Sequence, residues 1–359
     1  MSLLEFHRRF FPGGPRGGRS RVRLDPLAIL KAAFYIGALV AIPSAGVRGQ
    51  DQSLFSTSDG NPFIQIYSLP SPAAYPAPAP RRWAWRFGFD LASSSITEER
   101  PTGERIVMDG ETYRTSISLD YGLSERLAIG IAVPLVAHSG GFLDGFVQDW
   151  HDLFSLSNER REDFEDDSLD YSYVENGVEM FGLRDRDRGL GDIRLTTDWD
   201  LQGAPDATRS LVLRSGLKLP TGSSDTLRGS GSTDLSLQLL STDRQTLDRW
   251  GMTLSWMIGG LWLGNGDVLA PLREDLVAIG SIGLSRPIWR RLSARLQLDG
   301  HSAFYDSELR PLGASSVQLT FGGSIELARA RRIDFAMVQN LFTDTTPDLG
   351  IHLAWRGGY

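Results

Sequence analysis

His138, Ser139, Asp144, His151 and Asp152 place a hydroxyl, two imidazoles and two carboxylates in one short stretch of chain. These are the groups that a serine nucleophile, its general base and an orienting carboxylate require. No nucleophile elbow surrounds Ser139, and a triad is defined by its arrangement in space, not by proximity in sequence. The same imidazoles and carboxylates are metal-ligand types, but their spacing matches no recognised zinc pattern. The stretch therefore reads as a solvated, hydrogen-bonding loop, and the chain is expected to be neither an enzyme nor cofactor-dependent.

Just beyond lies REDFEDDSLD (161–170), where Glu162, Asp163, Glu165, Asp166 and Asp167 cluster. Carboxylates at this density suit hard divalent cations, although EF-hand spacing is absent. A bound cation there would bridge to surface lipopolysaccharide phosphates. The segment before it has helical spacing. Phe142, Phe146, Val147, Trp150 and Phe154 fall on one face, with Asp144, Asp149, His151 and Asp152 between them. Such a helix either folds into a lumen and narrows it or lies on a membrane interface. On the first reading Phe142, Asp144, Phe146, Trp150, His151 and Asp152 form a selector.

These groups need a scaffold, and the remainder of the chain supplies one. In RWAWRFGFDLAS (82–93), Trp83, Trp85, Phe87, Phe89 and Leu91 alternate with Ala84, Arg86, Gly88, Asp90 and Ala92. Five large apolar groups on one face, against charge and glycine on the other, fit a strand between lipid and a wet lumen. The alternation recurs at 111–121, 127–137, 191–201, 209–219, 232–242, 250–263, 274–285, 291–303, 315–328, 331–342 and 348–356. The expected fold is all-β, a transmembrane antiparallel up-and-down β-barrel of about twelve strands. Shorter turns alternate with longer Gly-, Ser-, Asp- and Pro-rich connections. Closure is obligatory, since unpaired backbone groups facing hydrocarbon each cost several kcal/mol.

Strand parity then assigns a lumen face. Arg86, Asp90, Arg114, Asp120, Arg194, Asp198, Arg214, Lys218, Asp234 and Asp299 point inward on this reading. Opposed charges across a pore tune its selectivity; alternatively they pair and fill a closed interior. The same parity makes 138–188 one long extracellular insertion, with both chain ends periplasmic.

The first 49 residues look like a signal peptide: a run of arginines, an apolar stretch from Leu27 to Pro43, and small residues thereafter. That stretch contains Lys31 and is short for a membrane span. The chain carries a net charge of -7. Removing this basic leader makes the remainder more acidic, which argues against nucleic acid as a partner. There is no Cys, so disulfides, thiolate sites and an acylated lipoprotein N-terminus are excluded. Residues 50–81 lack periodicity and include the Pro/Ala-rich SLPSPAAYPAPAP (68–80). They read as a periplasmic leader, a tether in preference to a segment in the barrel mouth, with the barrel occupying 82–359. LGIHLAW (349–355) and the terminal Tyr359 resemble the signal read by the outer-membrane insertion machinery.

Several runs resemble a proteobacterial family, the domain of unknown function 3187. They are MDGETYRTSISLDYGL (108–123), VPLVAHSGGFLDGFVQDWHDLFSL (133–156) and GLGDIRLTTDWDL (189–201), with NPF (61–63) and LP (69–70) before them. The resemblance covers about 60–359. Ser155-Leu156-Ser157 stands where that family usually has Gly-Leu-Pro. The resemblance implies an outer-membrane-like protein and carries no activity or site. The GLGD opening is also similar to that of other outer-membrane channels, including ones linked to uptake of aromatic compounds. The expectation is a barrel in the outer membrane of a Gram-negative bacterium, surrounded by lipid and lipopolysaccharide, passing an unidentified small solute. The alternative is a structural or surface-binding barrel with a cation-binding acidic loop, and a lipid-active hydrolase stands behind both.

Overall fold

The computed structural model describes residues 53–73, 78–141, 168–202, 208–328, 331–341, 345, 347 and 349–358. The signal peptide, the helical selector (Phe142 to Asp152) and the acidic cluster (Glu162 to Asp167) lie outside the described residues.

Among the described residues, fifteen strands form one sheet. They are β1 (Trp83–Glu99), β2 (Glu104–Gly122), β3 (Leu127–Ser139), β4 (Asp170–Glu175) and β5 (Val178–Leu183). Then come β6 (Asp187–Leu190), β7 (Ile193–Asp200), β8 (Arg209–Leu219), β9 (Asp234–Asp243) and β10 (Thr253–Trp262). The last five are β11 (Leu276–Pro287), β12 (Leu292–His301), β13 (Ser316–Ala328), β14 (Arg331–Asn340) and β15 (Leu349–Gly357).

Twelve of these strands close a ring, all pairs antiparallel. The seam is β1 against β15, running from Trp85 opposite Gly357 to Ser93 opposite Leu349. β2 pairs with β3, and β3 in turn pairs with β7. Alternation dictates the two faces, because successive side chains project to opposite sides of a strand. Outside stand Trp83, Phe87, Ile117, Trp199, Ile258 and Trp262, all exposed apolar groups. Inside stand the charged and small residues. This matches the twelve-strand ring expected from the alternation.

Both ends of the ring are short-turned or extended in a consistent way. The strand termini Trp83 and Gly357 share one end with the turn at 123–126; this is termed the terminal end. The opposite, loop end carries the long connections. There β2 outruns the ring, and Glu104 to Asp109 pair with Glu175 to Asp170 of β4. β5 extends this flap, and β6 caps the end of β3. The insertion at 138–188 thus contains regular strands, where the sequence reading had none. Its signal was the Asn176-Gly177 pair between β4 and β5. Both have positive φ, 50° and 79°, as a type I′ hairpin turn demands.

The leader departs further from expectation. Residues 53–73 are not a periplasmic tether: they run inside the barrel. A short helix, α1 (Pro62–Gln65), forms there, with the Asn61 side chain accepting from Phe63 N–H at its N-terminus. Phe63, Ile64, Ile66 and Tyr67 are buried against β4, Leu227, Phe304 and Tyr305. Tyr67 stacks on Phe304 with ring centroids 5.0 Å apart, and the Tyr305 hydroxyl donates to the Phe63 carbonyl at 2.9 Å. The loop end is therefore sealed by an apolar core. Enclosure on all sides explains why no periodicity marks this segment: it has no polar face to alternate with.

Candidate functional site

The lumen divides into an apolar seal at the loop end and a polar chamber in the terminal half. Residues 53–73 rise from mid-barrel to the seal and return. Phe55 N–H donates to Gln297 Oε1 at 2.7 Å, fixing the rising limb to β12. At the top, Asn61 Nδ2 donates to the carbonyls of Pro311 and Thr345, each at 2.9 Å. Pro311 belongs to α2 (Arg310–Gly313). On the return, the Arg214 guanidinium donates to the Ser71 and Ala73 carbonyls at 3.0 and 3.1 Å. An extended Pro-rich backbone makes no internal hydrogen bonds, so its carbonyls remain available to wall arginines.

Seven of the ten inward residues expected from parity line the chamber: Arg86, Asp90, Arg114, Asp120, Arg194, Asp198 and Arg214. Its empty space, counting the part open to solvent, is about 1260 Å³. Strand register decides which charges pair. Asp198 and Arg214 are direct cross-strand neighbours and join through two hydrogen bonds of 2.7 and 2.6 Å. Asp90 is opposite His352 and lies 2.6 Å from its Nδ1.

The other three inward residues sit elsewhere. Lys218 is fully buried between Asp192 and Asp234, 2.8 Å from each. Asp234 is its cross-strand neighbour. The opposed charges here do fill the interior, so this part of the wall is a structural clasp. Asp299 accepts from Ser281, Gln297, Thr320 and, from the leader, Thr57. It anchors the rising limb and does not face the chamber.

Other interior groups were not singled out in the sequence. Arg332 and Arg356 lie with their Nε 2.8 and 3.4 Å from the Asp334 carboxylate, and Arg295 Nη1 lies 3.6 Å from it. The Arg295 guanidinium also stands 5.1 Å from the Phe55 ring, a cation–π contact with the leader. Parity would have found Arg295, Arg332, Arg356 and His352, because each alternates with lipid-facing residues. Asn61, Gln65 and His301 as leader contacts had no signal of that kind.

The hydrolase reading finds no support in the described part. His138 is inward and buried, hydrogen-bonded through Nδ1 with Thr112 Oγ1 at 3.0 Å and through Nε2 with the Leu227 carbonyl at 3.3 Å. Ser139, the next residue of β3, projects to the opposite face, so the two do not meet. No group of His, Asp and Glu suited to a metal ion occurs among the described residues.

Solved structures match the chain, among them the following three. The crystal structure of the COG4313 outer membrane channel from Pseudomonas putida F1 matches with a TM-score of 0.52 at 12% identity, covering 80% of this chain and 97% of that one. The P. putida toluene transporter TodX matches at 0.37 and 12% identity over 83% of this chain and 92% of that one. The KdgM porin matches at 0.39 and 5% identity over 77% and 99%. Only the first has a TM-score above 0.5, and at 12% identity it shows the fold alone, a closed β-barrel. No curated protein matches the chain in sequence. The domain of unknown function 3187, described as "Protein of unknown function (DUF3187)", matches residues 31–359, and the chain belongs to that family.

Proposed function

We propose that this protein is an outer-membrane channel for a small solute, closed by its own residues 53–73. The carrying observation is the division of the lumen. A chamber lined by charged and small residues meets an apolar seal, and the segment between them is held only by non-covalent contacts. A barrel built for mechanical or adhesive duty alone has no need of a chamber. On this reading the terminal end is periplasmic, the flap of β4 and β5 faces outside the cell, and lipid and lipopolysaccharide surround the apolar exterior. Insertion would use the outer-membrane machinery, with β15 as its recognition strand. The chemistry is passage, not bond-making.

Loosening the segment without disturbing the wall tests this. Asn61→Ala removes two donors from buried carbonyls, each loss worth about 1–3 kcal/mol, and the cap of α1, worth about 0.5–2 kcal/mol. Proteoliposomes carrying the variant should swell faster in small sugars and amino acids than those carrying the native chain. Equal impermeability of both to every solute below a few hundred daltons would contradict the proposal.

A further inference from the structure

We infer that the chamber contains a seat for a small carboxylate, formed by Arg114 and Arg194 beneath the lumenal segment and floored by the small-residue face of β3, the strand that lies between theirs. The inference rests on the channel reading and names the class of solute that the lumen would take.

The charges in the chamber are unequally matched. Asp198 is engaged by Arg214, Asp90 by His352, and Asp192 by Lys218. Asp120 lies toward Arg86 and Arg214. Among the described residues, Arg114 and Arg194 have no carboxylate within ion-pair distance; the charges of Asp90, Asp192 and Asp234 act on them only from farther away. Their partners are neutral, and most come from the lumenal segment. Arg114 donates to Gln65 Oε1 at 3.3 Å and Ser68 Oγ at 3.0 Å. Arg194 donates to the Tyr67 carbonyl at 3.2 Å and to Ser236 Oγ at 3.4 Å. Two of the four, the bonds to Gln65 and Ser236, are longer than the usual range of about 2.7–3.2 Å for N–H···O contacts, and none has a charged acceptor. Arg194 is buried and Arg114 half-buried, and guanidiniums so placed with only neutral acceptors are favoured by an anion that joins them. Planar forks of this kind fit a carboxylate better than a point charge.

The small residues beside the arginines set the body of the ligand. The lumen face of β3 is Ala128, Gly130, Ala132 and Pro134, and β1 adds Ala84 and Gly88. None of these side chains can donate or accept a hydrogen bond. They create the space by being small, and they present apolar surface beside the arginines, Ala132 being the direct cross-strand neighbour of Arg194. The complementary ligand is thus a carboxylate on a compact apolar body. Because it would compete with Gln65, Tyr67 and Ser68 for the same guanidiniums, its arrival also weakens the grip on the lumenal segment.

The test is calorimetric titration of the full folded chain in detergent at fixed ionic strength, with sodium butyrate, 1-butanol and inorganic phosphate as probes. Butyrate should bind saturably. Arg114→Gln and Arg194→Gln should each weaken it at least tenfold, Arg194→Lys should weaken it less, and Arg209→Gln, at an exposed ion pair, should match the native chain. Heat-modifiable gel migration certifies folding; if a Gln variant does not fold, Arg194→Lys with the other Gln variant decides. Butanol binding as tightly as butyrate, phosphate binding as tightly as butyrate, or native affinity in the Gln variants would each overturn the seat, as would absence of saturable butyrate binding. Binding is read without flux. A barrel that seats butyrate but passes nothing refutes the channel reading alone, and one that passes solutes without seating butyrate refutes the seat alone.

Discussion

His301 Nε2 stands 3.0 Å from Asp59 Oδ2, and both side chains are buried. This contact joins the loop-end tip of β12 to the top of the lumenal segment, 242 residues earlier. Asp59 Oδ1 meanwhile accepts from Asn61 N–H at 2.8 Å, so one carboxylate shapes the turn into α1 and fastens it to the wall. Asp59→Ala should therefore free the segment locally. Amide exchange across 53–68 should quicken at least tenfold, consistent with about 1.5–3 kcal/mol for a charged hydrogen bond. Exchange in β10 to β13 should stay as it is, and a uniform rise over the barrel would show that the contact is not local.

Lys218 tests the interior clasp. It lies between two buried carboxylates, and its Nζ also contacts Ser230 Oγ. Removing the cation leaves Asp192 and Asp234 facing each other without water. Lys218→Met should cost about 3–5 kcal/mol, seen as a lower urea midpoint for loss of the heat-modifiable form. An unchanged midpoint would mean the clasp is hydrated.

Acid should release one loop-end link. Arg228 Nε lies 2.5 Å from Asp187 Oδ2, joining the 220–233 connection to β6, beyond the membrane-spanning strands. Burial alone would raise the Asp187 pKa, but hydrogen bonds from Thr226 and Arg228 and the Arg228 charge outweigh it, holding the carboxyl below its usual range. A lowered native pKa gives stability that is present above the unfolded value, about 3.9. That stability is lost as pH falls through the native value. Protease protection of 220–233 should thus hold at pH 6 and decline toward pH 2. Asp187→Asn should show the reduced level at both, and a native chain indifferent to pH would discount the link.

The exterior makes a separate demand. Ile258, near the middle of β10, is 58% exposed. If that face meets acyl chains, Ile258→Arg should cost about 2–4 kcal/mol at the bilayer midplane. The measurement is folding into short-chain lipid vesicles against denaturant. A neutral substitution would place Ile258 in water.

What could be read from the chain follows from where periodicity exists. Trp83 to Leu91 alternate because one side meets lipid and the other meets the lumen, and that contrast writes itself into residue order. Twelve wall strands were legible for this reason, as were Arg114, Arg194 and Arg214 as inward groups. Which charge pairs with which was not legible. Asp198 with Arg214 and Lys218 with Asp234 depend on interstrand register, which no single strand encodes. The lumenal segment was missed because Phe55, Phe63, Ile66 and Tyr67 are enclosed from every direction and follow no period. The flap of β4 and β5 had a usable signal in Asn176-Gly177, overshadowed by the acidic run before it.

Single-channel recording in planar bilayers bears most directly on the stoppered lumen. The mature chain and a version lacking 53–73 would be compared, each certified by its heat-modifiable shift. The native barrel should be silent or open only briefly, and the shortened one should hold a steady conductance of several-fold larger size. A native barrel that conducts as continuously and as strongly as the shortened one would contradict the account.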